Sequence, residues 1–531
     1  MAGYMARHMG ILMLLFVVNP GGSATASRRP ASLTRPVDAA MTNVPAQPHY
    51  HSARPGETHR GLSRAGMQAQ ATVERQFSPE EMIEDINTMI RTCEEVHPDL
   101  YSYTSKTEID ALKSELIRSL TRPLVEREFV QVVARLAAKF GDGHTSVSLA
   151  LPSRRTYVDN GGLIFPIDIR RTEAGVLVRQ NYSDNSALAP GDRILAINGV
   201  DVDQLFDQLL NEVSGEELAY RTVEVEGAFK PMLWIHGIMP PFRIDFQSKQ
   251  AGQRKTETVQ GLAAQVLTGR QRAAAGGLPI GPYQYETLAP GIGYLNFRSM
   301  GGDNSAFEAF LDSTFKLIRA DKVKGLIVDL RENGGGNSAL GESLLSYVTN
   351  KPYKMSDRKE WKASRQYREF IKSNIRFFPY AKYLEAKDGE IVVLKDEMIR
   401  PADNPLRFDG PVCFLIGRRT FSSAMMVANA VGDFKLATLI GEETGDPPTS
   451  FGELYSFNLP HSKLAINVST AHFVRANGDA SDKHPVIPDI RVTATQSDLD
   501  RQVDAVLESA KKWILRRDAK PVTDLKGQSV H

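Results

Sequence analysis

Three stretches of this chain combine residue types that chemistry uses. In Asp329-Leu330-Arg331-Glu332-Asn333-Gly334-Gly335-Gly336, an apolar run ends in a glycine cluster. Glycines let backbone N–H groups converge on a developing negative charge, and a helix N-terminus adds to that field. The loop fits an oxyanion hole. A phosphate cradle is the alternative, although the Gly-x-x-x-x-Gly-Lys-Ser/Thr order is absent. In Thr420-Phe421-Ser422-Ser423-Ala424, a serine stands at a strand-to-helix turn, as either an N-cap or a nucleophile, with the Ser423 N–H beside it. Gly143-His144-Thr145 places an imidazole in a turn, either as a proton carrier or as a structural histidine.

The elements around these loops alternate in type. Strand Ile292–Phe297 precedes helix Asn304–Ala320, and strand Gly325–Leu330 precedes helix Ser338–Val348. Strand Val412–Ile416 then precedes helix Ser422–Val431, followed by strand Leu436–Ile440. This rhythm predicts an α/β domain over 285–515. Residues 350–408 interrupt it with aromatic residues from Tyr353 to Tyr383, as a cap over a site or as a helical insertion with its own core. Upstream, Ser78-Pro79-Glu80-Glu81 predicts a capped helix start, and helical spacing of Met82, Ile86, Met89 and Cys93 opens a helical domain over 78–150. Residues 155–250 read as a β-rich domain, with short strands from about Leu163 to Phe246, and 251–284 as a linker.

A chain of 531 residues exceeds the roughly 250–300 that one hydrophobic core supports, so two or three domains are expected. The 64 Lys and Arg balance the 63 Asp and Glu, which removes the uniformly basic footprint of a non-specific nucleic-acid binder. Arg7 and His8, the apolar run from Ile11 to Val18 and Ala24-Thr25-Ala26 together predict a signal peptide over 1–26, hence export and no stable membrane span after cleavage. Residues 27–77 read as a flexible tether. Cys93 and Cys413 read as buried hydrophobes; no disulfide framework, zinc motif or cofactor is expected. Oligomeric state is left open by the sequence.

Inside the β-rich region, Leu188-Ala189-Pro190-Gly191-Asp192-Arg193-Ile194-Leu195-Ala196-Ile197-Asn198-Gly199-Val200 resembles the middle of a PDZ domain. That resemblance implies capture of an extended C-terminal peptide on a sheet edge; a hairpin module that only packs on its neighbours is the alternative. In order along the chain, the Asp142-Gly143-His144-Thr145 loop, this module, the glycine loop, Thr420-Phe421-Ser422-Ser423-Ala424, Gly441-Glu442-Glu443-Thr444-Gly445 and Ile487-Pro488-Asp489-Ile490 resemble the C-terminal processing (tail-specific) protease family of serine peptidases.

The resemblance implies a ClpP/crotonase-type catalytic fold, Ser422 as a nucleophile that forms an acyl-enzyme, and an oxyanion hole from Ser423 N–H and a glycine of 334–336, Gly335 being the expected one. The lysine base of one branch has no counterpart: the position 25 residues after Ser422 is Pro447. The chain is more similar to the tricorn-like branch, which implies His144 as base and Asp482, six residues before Pro488, as orienting carboxylate. Here Gly143 stands where that branch has serine, and Asp482 is shorter than its usual glutamate. His472 and His484 are rival bases. The expected partner is a polypeptide substrate. An idle relative that binds peptides or apolar ligands is the rival reading, and an acyl-CoA enzyme of the crotonase superfamily is a third.

Overall fold

Alternate residues of Val412–Ile416 join different cores: Phe414 and Ile416 one, Cys413 and Leu415 another. A strand buried on both faces needs both, which is why it reads as an unbroken apolar run. This strand lies inside a sheet ordered Tyr283–Ala289, Ile292–Phe297, Gly325–Asp329, Val412–Ile416, Thr438–Gly441 and Ile490–Arg491. The first pair is antiparallel and the others are parallel. Helices Asn304–Ala320, Ser338–Ser346 and Ser423–Asp433 cover one face through Phe307, Leu344 and Val427; helix Ala505–Asp518 covers the other through Val506, Ala510 and Ile514. This computed structural model describes residues 74–250, 252–274, 281–289, 291–375, 380–495, 497–498, 501 and 503–518.

The loops that leave Gly325–Asp329 and Val412–Ile416 emerge at the carboxyl ends of neighbouring parallel strands, where α/β sheets place their sites. They are tied together: Phe421 N donates to Asn333 O at 3.0 Å, and Thr420 Oγ1 donates to Leu330 O at 2.8 Å. Arg331 anchors the glycine loop from below, donating to Asp329 at 2.6 Å and to Asp504 at 2.8 Å.

A second sheet, ordered Ile391–Lys395, Arg358–Lys362, Ala465–Val474 and Ser450–Asn458, is antiparallel throughout. Strand Ser146–Val147 pairs with Ala465–Val474, and this pairing brings the helical N-terminal region to the C-terminal one. Segment 350–408 is therefore wired into this sheet through Arg358–Lys362, and its aromatic residues Trp361, Tyr367 and Tyr383 form a core there with Ala471.

The N-terminal helices begin with the expected chemistry. Ser78 caps Pro79–Val96 with a complete capping box through Glu81, and Ser105 does the same for Lys106–Ser119 through Glu108. The β-rich module is an antiparallel sheet of Ile167–Thr172, Gly175–Asn181, Arg193–Ile197, Phe242–Gln247 and Arg254–Val259, packed on helices Val202–Leu210 and Leu218–Ile235. Asn198 at φ +50° and Gly199 at φ +82° form the two-residue turn that pairs Ile197 with Val200, the backbone such a hairpin demands.

Two boundaries differ from the expectations. Gln76–Phe77, inside the predicted tether, pairs with Leu124–Val125 and buries Phe77. Residues 251–284 contain edge strand Arg254–Val259, helix Ala264–Ala274 and the start of edge strand Tyr283–Ala289 rather than a loose linker. Arg254-Lys255-Thr256-Glu257-Thr258 is polar on both faces, so no hydrophobic period announces it; its ladder with Phe242–Gln247 makes it a strand. The expected leader over 1–26 and the tether up to residue 73 lie outside the described residues.

Candidate active site

Ser422 stands at the N-cap of Ser423–Asp433 in a conformation no ordinary cap uses, φ +55° and ψ −126°, and its side chain makes no capping bond. Left-handed backbone at a non-glycine residue costs about 1–3 kcal/mol and persists only where the surroundings enforce it. Asp446 enforces it, accepting the Ser422 N–H on both carboxylate oxygens at 3.1 Å. Gly335, at φ +90°, allows the close approach from the other side: a Cβ there would lie 2.8 Å from Ser422 Cβ and 2.9 Å from Phe421 O. Ser423 is the first helical residue, so its N–H has no intrahelical acceptor and is available to a ligand oxygen. Its hydroxyl is engaged, donating to Gly336 O at 2.7 Å.

His144 lines the same cavity as Ser422. Its ring stacks on Phe421 at 4.6 Å, and Phe421 stacks in turn on Tyr220 of the β-rich module at 4.4 Å. Both ring nitrogens are enclosed without a hydrogen-bond partner. A buried polar atom left unpaired costs free energy, so its presence calls for a reason such as catalysis. Burial pushes the imidazole below its ordinary pKa, against the opposing charge of Asp142, and so keeps it neutral.

Asp142 is the nearest carboxylate, its Oδ1 4.0 Å from His144 Nδ1. It also accepts His144 N at 2.9 Å, Thr145 Oγ1 at 2.6 Å and Ser469 Oγ at 2.6 Å, and pairs with His97 Nε2 at 3.1 Å. Burial acts to raise its pKa, but the hydrogen bonds from His97 and Ser469 override burial and hold Asp142 below the usual carboxylate range. The other two acids nearby go the opposite way. Burial, with the charge of Asp142, pushes Asp446 well above the usual carboxylate range. Burial together with Asp142 and Asp446 does the same to Glu216, which accepts the Gly143 N–H at 3.2 Å. One ionised acid beside two neutral ones is what like charges in a low dielectric settle on.

The structure thus brings Ser422, Ser423 and His144 to one cavity, with Gly335 against Ser422. It does not bring Asp482 there. Asp482 pairs with Arg475 and sits 3.1 Å from His484 Nδ1, so the guanidinium between Asp482 and Asp433 has captured the carboxylate expected to orient His144. Gly335 is also corrected as an oxyanion donor: its N–H donates to Asn333 Oδ1 at 2.9 Å, closing an Asx turn that shapes the loop. The rival bases are placed elsewhere, His484 exposed and His472 held by Glu360 at 3.1 Å. Asp446 and the ion-pairing role of Asp142 were missed. Asp142 stands two residues before His144, and Asp446 adjoins Pro447, the position 25 residues after Ser422.

Residues 291–492 match the family described as Peptidase family S41, so the chain carries a serine-type peptidase domain there. Among solved structures, mature CPAF complexed with lactacystin is similar over 82% of this chain and 98% of its own, at 14% identity and a TM-score of 0.59. Mature CPAF alone gives 83% and 99%, 14% identity and 0.58. At this identity the likeness is one of fold. No curated protein matches the chain by sequence.

Proposed function

We propose that this chain, with its S41 domain at residues 291–492, is an exported endopeptidase that cleaves polypeptides through an acyl-enzyme on Ser422. The observation that carries the reading is Ser422 itself: a serine at φ +55° with a hydroxyl free of capping, on the same cavity as a neutral, unpartnered imidazole.

In this reading Ser422 Oγ attacks the peptide carbonyl carbon while His144 accepts its proton. The tetrahedral oxyanion is held by Ser423 N–H, and the glycine turn 334–336 closes the other side of the hole. The His144 imidazolium then protonates the departing amine as the C–N bond breaks. Water, deprotonated by His144, attacks the ester and returns Ser422 to its hydroxyl form. Asp142 takes the role first given to Asp482: ionised and 4.0 Å from Nδ1, it stabilises the imidazolium that forms at each proton transfer.

The β-rich module supplies a PDZ-like receptor for a substrate C-terminus along an edge of its sheet, such as Ile167–Thr172. Its contact with the site through Tyr220 and Phe421 supports a role in presenting substrate. Export rests on the apolar run from Ile11 to Val18 and the following Ala24-Thr25-Ala26; among the described residues no helix is long and apolar enough to cross a membrane.

The test is labelling of the purified protein by a fluorophosphonate, beside Ser422→Ala. Labelling of the wild type alone is expected. A folded wild type that does not label overturns the peptidase reading in favour of a ligand-binding relative.

A further inference from the structure

The cavity beside Ser422 is walled by Met425, Met426, Phe451 and Phe473, yet two acids also reach it, Asp446 and Glu453. A carboxylate in such a wall would attract cations. Each acid is neutralised, and by different means. Asp446 is kept uncharged by burial. Glu453 has a counterion: Lys359 Nζ lies 3.2 Å from its Oε1, and Lys359 and Glu453 are only 1% and 5% exposed.

Lys359 comes from a distant part of the chain, strand Arg358–Lys362 of segment 350–408. Its ammonium sits over the rings of Trp361 at 5.0 Å and Phe473 at 5.3 Å, so it is held by π-faces as well as by Glu453. Glu453 is fixed as firmly. It stands at φ +57° inside a strand, and its carbonyl accepts Thr470 Oγ1 at 2.8 Å, which offsets part of the backbone strain. The other acids near Lys359 are Glu342, which burial and Asp396 push up to about 7, and Asp396, which Ser356 hydrogen-bonds. Glu453 is the one that also forms part of the cavity wall.

A buried ion pair is weak evidence for stability, since packed apolar residues of equal volume do as well or better. Placed in the wall of a cavity that touches the nucleophile, it sets the charge that a side chain entering there meets. We propose that Lys359 is a specificity-determining residue: by neutralising Glu453 it makes the cavity a receptor for an uncharged, apolar side chain on the residue whose carbonyl Ser422 attacks. This rests on the peptidase reading above. Without the ammonium, Glu453 loses its counterion, and an entering Lys or Arg supplies the missing positive charge and becomes the favoured occupant.

The experiment uses the full chain and peptidyl diphenylphosphonates carrying Leu, Phe, Lys or Glu side chains next to the phosphorus, with a generic fluorophosphonate as reference. Wild type is expected to react with the Leu and Phe probes on the order of tenfold faster than with the Lys probe. Lys359→Met should reverse that order. Lys359→Met/Glu453→Gln, which carries neither charge, should restore it, and Glu453→Gln alone should move reactivity toward the Glu probe. Melting curves show which variants fold, and the neutral pair of substitutions keeps the test open if Lys359→Met does not. A wild type that reacts with the fluorophosphonate but discriminates poorly, or a Lys preference in the double variant, overturns this proposal alone. A wild type inert to the fluorophosphonate overturns it together with the peptidase reading.

Discussion

Two of the serines that open helices in this molecule, Ser78 and Ser422, do opposite things. Ser78 precedes Pro79–Val96 with φ −69° and ψ 159°, and its hydroxyl accepts Glu81 N at 3.3 Å. Its oxygen is spent on the helix. Ser422 precedes Ser423–Asp433 at φ +55° with no capping bond, and its own N–H is held by Asp446. Both are serines just before a helix that buries apolar residues, so residue type at the cap cannot tell them apart. What separates them is backbone conformation: extended backbone aims a serine oxygen at the first turn, whereas the left-handed one releases it. The strain at Ser422 is supported by the carboxyl group of Asp446 on one side and the missing Cβ of Gly335 on the other.

If Ser422 is a released nucleophile, removing its base has the largest effect. His144→Ala is expected to lower kcat/KM by about 10⁴-fold or more, nearly the cost of losing the serine, because the two act as a unit. In the wild type, burial depresses the His144 pKa, so the neutral, active form persists as pH falls. The acid limb of kcat/KM should therefore lie below about pH 6.5, with activity lost as pH drops through it. An acid limb above that value would assign the base elsewhere.

The next effect concerns what holds the strained turn. Asp446→Ala leaves the Ser422 N–H without its acceptor and should slow fluorophosphonate labelling by about 10²-fold, the scale of a misplaced nucleophile. Asp446→Asn keeps an acceptor oxygen and should recover most of that rate. Equal rates in the two variants would mean that the turn stands without Asp446. The smallest effect belongs to the ordinary cap. Ser78→Ala should cost about 1 kcal/mol in denaturant unfolding with kcat/KM unchanged; a loss of activity there would break the distinction between the two serines.

Much of the frame was legible. The buried strands Ile292–Phe297 and Val412–Ile416, the capped start at Ser78 and the Asn198-Gly199 hairpin follow from hydrophobic period and turn chemistry that neighbouring residues express. The Asp329–Arg331 pair below the glycine loop is local in the chain, its partners standing two residues apart. Strand Arg254–Val259 was hidden because an edge strand exposed on its faces has no apolar alternation to show.

The candidate site divides along the same line. Sequence alone determined the residue types of the chemistry, Ser422 with its strand-to-helix turn and His144 in its loop, because a functional group can be named wherever it falls in the chain. Only the tertiary structure decided which charges meet. Arg475 holds Asp482, Asp142 approaches His144, Asp446 supports Ser422, and Lys359 crosses from segment 350–408 to Glu453. Electrostatic partnership depends on distance and burial, which pairing across sheets sets and residue spacing along the chain does not express.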